Sequence, residues 1–368
     1  MRMGKIFLAS SLKCSKAARI GLTLISAAFA AGAGLCAFLM LTAYSPADTE
    51  PLTVNEIVHQ VPLQTESLIT AVTWNIGYAG LGKDQNFFMD GGTMVRPNHK
   101  EVIAENISGI MDTLSQQQAD IYLLQEVDEN SHRTYHINQR DLLGGGMLMN
   151  TAFALNIHCN FVPYPWPPIG KVKSGLMTLS RFQTLEATRE SLPVSFSWPI
   201  SAVNFKRCML IEKLPVAGTD KMLVLINVHF DAYDDGEGRR AQTDHLMRTL
   251  QEAYRNGDYV IVGGDFNQIF PDAAHYPVLD TAYWAPGQLS ADDLPEGFHY
   301  AFDDAAPTCR LLNENYSGDR EQTQLYVIDG YILSSNIRVE SIQTVDEDFR
   351  YSDHNPVRLT FEMLAAKM

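Results

Sequence analysis

The strongest constraint on the fold is a recurring unit: a short apolar run of strand length that stops at one polar side chain. It occurs at 69–75, ending in Asn75; at 121–126, ending in Glu126; at 222–229, ending in His229; and at 259–264, directly before Asp265. Further β-branched and aromatic runs lie at 208–213, 326–334 and 356–361. Runs of this length, bounded by turn residues, read as strands. An acid at the mouth of a buried strand is costly unless it is paired or bound to metal. The same holds for Asp329, which interrupts the run Tyr326–Ile332.

Helical patterns fall between some of the strands. Ile103, Ile107, Ile110 and Leu114 repeat at spacings of three and four, as do Leu246, Leu250 and Ala253. Several strands also follow one another directly, which argues for two packed mixed β-sheets flanked by helices, an α/β sandwich, rather than a purely parallel doubly wound sheet. One domain over 69–368 is expected to hold them. The proline and aromatic residues of 161–168 exclude a helix and read as a stiff loop. A second irregular stretch, about 271–308, carries Tyr283, Trp284, Phe298, His299 and Tyr300 and reads as the rim of a site.

Ahead of the domain, residues 20–44 are apolar and uncharged, long enough to cross ~30 Å of hydrocarbon as a transmembrane helix. The tail 1–19 holds Arg2, Lys5, Lys13, Lys16 and Arg19 and no acid, so the positive-inside rule keeps it in the cytoplasm and sends the rest across. A cleaved signal peptide is the alternative, although its apolar core is shorter. Residues 45–68 lack periodicity and read as a linker. The formal charge is −15, and without those five cations it is −20. A field of that sign repels polyanions at long range and lowers the weight of nonspecific nucleic-acid binding. Cys159, Cys208 and Cys309 lack zinc spacing and read as buried thiols.

Two segments carry most of the chemistry. Gly263-Gly264-Asp265-Phe266-Asn267 follows a buried strand, and extended backbone would send Asp265 and Asn267 to one face, although Gly-Gly-Asp also reads as a turn. Tyr351-Ser352-Asp353-His354-Asn355-Pro356 sets a carboxylate beside an imidazole that titrates near neutrality. In chain order, Asn75, Glu126, His229, Asp265 with Asn267, Asp329, and Asp353 with His354 resemble the motif series of the endonuclease/exonuclease/phosphatase superfamily, over roughly 69–361. The resemblance implies a four-layer α/β sandwich with the site at the sheet edges. It implies that Glu126, Asn75 and Asp353 serve the metal and that His354, Asp265, Asn267, Asp329 and His229 are catalytic. Which of Asp265 and His354 is the base stays open.

An all-oxygen metal set favours Mg²⁺, which Mn²⁺ can replace. The expected reaction is hydrolysis of a phosphoester without a covalent intermediate. Two features point to a phosphodiester in a phospholipid such as sphingomyelin: the anchor, and Gln125-Glu126-Val127-Asp128 with Asn227-Val228-His229, which look closer to the sphingomyelinase and bacterial branches. A secreted endonuclease is the alternative, for which Lys171, Lys173 and Arg181 could form a phosphate patch; a noncatalytic binding module on the same fold is a third. The expected partners are a phosphoester substrate and, through the N-terminal helix, a membrane; no protein partner is implied.

Overall fold

The computed structural model describes residues 16–56, 60–279 and 282–365. Two compact units divide the chain at Ala43/Tyr44. The first contains one helix, α1 (Lys16–Leu41), long and apolar enough to cross a membrane. It is already helical at Lys16, the first described residue and four ahead of the run 20–44, and it ends at Leu41, three short of that run. The expected basic tail lies outside the described residues up to residue 15.

The second unit is built on thirteen sheet strands: β1 (Thr49–Pro51), β2 (Leu68–Asn75), β3 (Ile121–Asp128), β4 (Asn150–Val162), β5 (Gly170–Ser180), β6 (Glu186–Ser191), β7 (Cys208–Pro215), β8 (Met222–His229), β9 (Tyr259–Asp265), β10 (Phe298–Ala301), β11 (Asp329–Ser334), β12 (Ile337–Thr344) and β13 (Val357–Met363). One sheet has the order β1-β6-β7-β8-β9-β11-β10 and the other β12-β13-β2-β3-β5-β4. Each contains a single parallel pair, β8 with β9 and β2 with β3. Residue alternation sorts the core into layers. Ile69, Ala71, Leu123, Leu225, Ile261 and Phe361 fill the space between the sheets. Val72, Trp74 and Leu124 pack outward against Ile103, Ile107 and Ile110 of α2 (Lys100–Gln117) and Leu143 of α3 (Gln139–Met147). Val260 and Val262 pack outward against Leu246 and Leu250 of α4 (Glu237–Tyr254). The result is the expected four-layer sandwich.

The segment 45–68 differs from its reading as a linker. Thr49–Pro51 pairs antiparallel with β6, Asn55 bridges Thr151, and Val61 and Leu63 bridge Phe182 and Val216. Leu63 is part of the inter-sheet core. Hydrogen bonding to a sheet edge needs no hydrophobic period, so the sequence carried no sign of it. The run 326–334 also splits: Leu325–Tyr326 pairs with Cys309–Arg310, and only Asp329 onward joins the large sheet. Cys159, Cys208 and Cys309 are buried free thiols, as expected.

Glu212 lies between the sheets, fully buried, and burial pushes its carboxyl up from 4.5 to about 7, offset only in part by the Thr184 hydroxyl at 3.1 Å. Its folded-state value is the higher one. The stabilising contribution is therefore complete below about pH 4.5 and is lost as pH rises to 7, amounting to roughly 3 kcal/mol. Glu212→Gln should leave stability near wild type at pH 4.5 and raise it by about 2–3 kcal/mol at pH 8. Urea unfolding at the two pH values checks this, and an equal effect at both would contradict it.

Candidate active site

The C-terminal ends of the two parallel pairs face the same cavity, the position where open α/β sheets leave a crevice. Asn75 ends β2, His229 ends β8 and Asp265 ends β9. Asp329 starts β11 directly opposite Asp265 in antiparallel register. The loop before β13 brings Asp353 and His354 beside them, held by Trp74 Nε1 donating to the His354 carbonyl (2.8 Å) and Ser352 Oγ donating to the Asn75 carbonyl (2.8 Å). The sheets are tied together just below by polar groups: Gln125 Nε2 donates to Asn227 Oδ1 (2.8 Å) and Thr73 Oγ1 (3.1 Å).

Glu126 does not end its strand. β3 runs on to Asp128, and the pairing with β5 slips between Leu124 and Val127. Glu126 sits in that bulge at φ +56°. A bulge re-aims a side chain, and here it turns Glu126 into the cavity with 17% of its side chain exposed. Asn267 likewise departs from the extended backbone assumed from its spacing. β9 stops at Asp265, and Asn267 is left-handed at φ +49° with its backbone N–H donating to Asp265 Oδ1 (2.9 Å). Both side chains still line the cavity, but a turn, not strand alternation, puts them there. Left-handed non-glycine residues cost about 1 kcal/mol or more each and tend to gather at functional sites.

Among the polar groups, His354 Nδ1 donates to Asp329 Oδ2 (2.8 Å), which leaves Nε2 3.8 Å from Asp265 Oδ2 and 3.9 Å from Asp353 Oδ2. Burial disfavours the imidazolium, but Asp329, Cys309, Asp265 and Asp353 outweigh it and hold His354 well above its ordinary pKa. Asp265 is pushed up to about 7 by burial and by facing Asp329, against the opposing pull of His354. Its Oδ2 accepts from Asn75 Nδ2 (3.0 Å), a bond across the two sheets. His229 is driven well below its ordinary value by burial and by Arg207 and stays neutral. Its Nε2 faces Asp265 Oδ2 (3.4 Å) and Glu126 Oε1 (3.9 Å), while buried Nδ1 has no partner. Two facing carboxylates place the single ring proton on Nε2.

Two groups of donors suit a cation. Asp265, Asp329 and His354 each offer an atom within 4.8 Å of the others, a buried cluster of the kind that holds a divalent ion. Asp329 Oδ2 is already bonded to His354 Nδ1, and Asp265 Oδ2 to Asn75 Nδ2. Glu126 and Asp353 form the second group. Burial and the neighbouring Glu126 push Asp353 up to about 6, partly offset by His354 and Arg310. Gly77 closes on the same point: at φ +49°, any Cβ there would come within 2.7 Å of Asp353 Oδ1. Carboxylate and amide oxygens from Glu126, Asp353 and Asn75 match the preference of a hard divalent cation.

The cavity measures about 510 Å³ and is lined by every residue of the motif series except Asp329, which lies behind His354. Lys171, Lys173 and Arg181 do not form a patch: Lys173 pairs with Glu129 (2.8 Å), Arg181 with Asp120 (2.8 Å), and none of the three lines the cavity. The segment 161–168 reaches the wall through Val162 at the end of β4 and through Pro163 and Tyr164, whereas the described residues of 271–308 contribute only Trp284. Arg310 gave no sign in the sequence. It is buried and donates to the carbonyls of Gly82 (2.9 Å) and Gln85 (3.0 Å), fixing the loop after β2. An isolated Arg in a loop usually reads as solvated, and only the buried carbonyls around it reveal its use.

An α/β sandwich with a buried acid and imidazole cluster at its strand ends defines a site consistent with a metal-dependent hydrolase. Residues 72–354 match the Endonuclease/Exonuclease/phosphatase family, and the chain belongs to it. Among solved structures it is similar to an endonuclease/exonuclease/phosphatase from Beutenbergia cavernae DSM 12333 (17% identity, TM-score 0.54, covering 81% of this chain and 72% of that one). A second, from Bacteroides vulgatus, has 16% identity and a TM-score of 0.52, covering 81% and 100%. Likeness at this identity concerns the fold. No curated protein matches the sequence.

Proposed function

We propose that this protein is a Mg²⁺-dependent phosphodiesterase that hydrolyses its substrate by direct attack of water, anchored by α1 with the catalytic unit outside the cytoplasm. The observation that carries the reading is the convergence of Asn75, Glu126, His229, Asp265, Asn267, Asp353 and His354 on one cavity, with Asp329 bonded behind His354. Glu126, Asn75 and Asp353 would hold the ion, which when bound supplies Lewis acidity toward the phosphate. Mn²⁺ would serve in its place.

Protonated His354 faces the cavity through Nε2 and offsets charge building on the phosphate. Asp265, with a pKa near neutrality, orients a water and takes its proton. The Nε2–H of neutral His229 and the free hydrogen of the Asn267 amide are donors for phosphate oxygens, the other Asn267 amide hydrogen being held by the Phe230 carbonyl (2.8 Å). Cys309 is no nucleophile despite its place beside His354, since burial pushes its thiol up to about 12. A phospholipid headgroup such as that of sphingomyelin is the substrate an anchored enzyme would reach.

The test is hydrolysis by the full chain, held in amphipol, of bis-p-nitrophenyl phosphate, p-nitrophenyl phosphate, sphingomyelin and duplex DNA, with Mg²⁺ or EDTA. Turnover of a diester that EDTA abolishes and Mg²⁺ restores is expected. Failure on all four by a chain shown folded by circular dichroism would overturn the proposal, and preference for DNA would move it to the nuclease branch.

A further inference from the structure

The cavity that holds the catalytic side chains continues into a second lobe whose walls are apolar. Phe87 and Phe88 come from the loop after β2, Ile169 and Val172 from the start of β5 and the loop before it, and Val203 and Phe205 from the segment between β6 and β7. Ile169, Val172, Val203 and Phe205 pack together as one apolar wall, and Phe87 and Phe88 line the same cavity from a separate chain segment. At about 510 Å³, lobe and catalytic floor together fall within the range of roughly 300–1,000 Å³ typical of pockets for small organic ligands.

The cations on the walls are paired or hydrogen-bonded, with Arg207 Nη1 left as a buried donor without a partner. Arg133 is bidentate to Asp128 (3.1 and 2.9 Å), Arg207 pairs with Asp231 (3.0 Å), and Arg310 donates to backbone carbonyls. At the edge, the same loops raise large apolar side chains into solvent: Tyr164 (71% exposed) and Trp166 (89%) on one, Trp198 (66%) and Ile200 (54%) on another. Aromatic residues so placed suit contact with an apolar, aggregated substrate.

We propose that this lobe is the subsite for the alkyl chain of a lipid phosphodiester, so that the enzyme selects its substrate by an apolar substituent next to the scissile phosphate. The inference rests on the phosphodiesterase reading and adds the place where the substrate's alkyl chain is held. Each methylene that enters such a lobe gains roughly 2- to 4-fold in binding.

The experiment compares kcat/KM of the full chain in amphipol for methyl, butyl and octyl p-nitrophenyl phosphate and for the p-nitrophenyl phosphodiester of thymidine, all with Mg²⁺. The octyl ester should exceed the methyl ester by at least about 10-fold and exceed the thymidine ester. Ile169→Asp and Val203→Asp, each setting a carboxylate in the lobe, should lower the octyl-to-methyl ratio by about 5-fold or more. Should either variant fail to fold, the wild-type series still decides. Turnover with no dependence on chain length, or preference for the thymidine ester, would overturn the lobe assignment while leaving the phosphodiesterase standing. If no ester turns over, the phosphodiesterase fails, and calorimetric binding of octylphosphonate against methylphosphonate decides the lobe: tenfold tighter binding of the octyl compound upholds it, and equal or absent binding overturns it.

Discussion

Glu126→Ala should lower Mg²⁺-dependent hydrolysis of bis-p-nitrophenyl phosphate by at least about 10³-fold, the equivalent of the several kcal/mol a bound ion contributes to phosphoryl chemistry. Glu126 is aimed into the cavity by a β-bulge at a left-handed backbone angle, with no cationic side chain bonded to it among the described residues and neutral His229 3.9 Å away. Such placement costs stability and is explained if the carboxylate serves an ion. Removing it also takes a negative charge from beside Asp353, which Glu126 helps to push up to about 6. The variant should therefore be as stable as wild type or slightly more so, while the Mg²⁺ concentration for half-maximal activity rises by roughly 100-fold. Glu126→Gln, which keeps the volume, should behave in the same way. Activity within about tenfold of wild type, still abolished by EDTA, would sink the assignment and move the ion to the cluster of Asp265, Asp329 and His354.

A second large loss is expected from Asp329→Asn, roughly 10²- to 10⁴-fold in kcat. Asp329 does not reach the cavity; it acts through His354, to whose Nδ1 it is bonded at 2.8 Å. Its charge is the largest influence raising the His354 pKa, against burial, which lowers it. With that charge removed, burial is opposed only by Cys309, Asp265 and Asp353, and the imidazole loses its proton at lower pH than in wild type. Activity that depends on imidazolium persists to the alkaline side in wild type, so the alkaline limb of the kcat profile should move to lower pH in the variant. Because the two residues act as a unit, His354→Ala with Asp329→Asn should be no worse than His354→Ala alone. A pH profile of kcat and the double-mutant cycle check both points. Additive losses, or an unmoved alkaline limb, would mean that Asp329 serves only the fold.

Much of this site was legible in the sequence because buried strands announce themselves by apolar runs, and a polar residue at the end of such a run stands out. Asn75, His229 and Asp265 stand out in this way, Asp353 and His354 as an acid–imidazole pair ahead of the last strand, and all five line one cavity. The readings that failed share one cause, a local rule overridden by long-range contact. Glu126 looked like a strand end but occupies a bulge, Asn267 looked extended but is left-handed, and 45–68 looked unstructured but pairs with a sheet edge. β4 and β5 went unread because Asn, His, Lys and Gly dilute their apolar content, although each pairs along most of its length with the other.

The sequence by itself determined the α/β class, the apolar helix ahead of the domain and the set of polar residues at the strand ends. These follow from the period and length of apolar runs, which act over a few residues. Only the tertiary structure decided that Asp329 stands behind His354, that Asn75 bridges to Asp265 across the sheets, and that three distant loops leave an apolar lobe beside the catalytic floor. Residues 75 and 265, or 87, 169 and 203, are brought together by sheet register and loop packing, which depend on the whole chain at once and leave no mark in any short window of it.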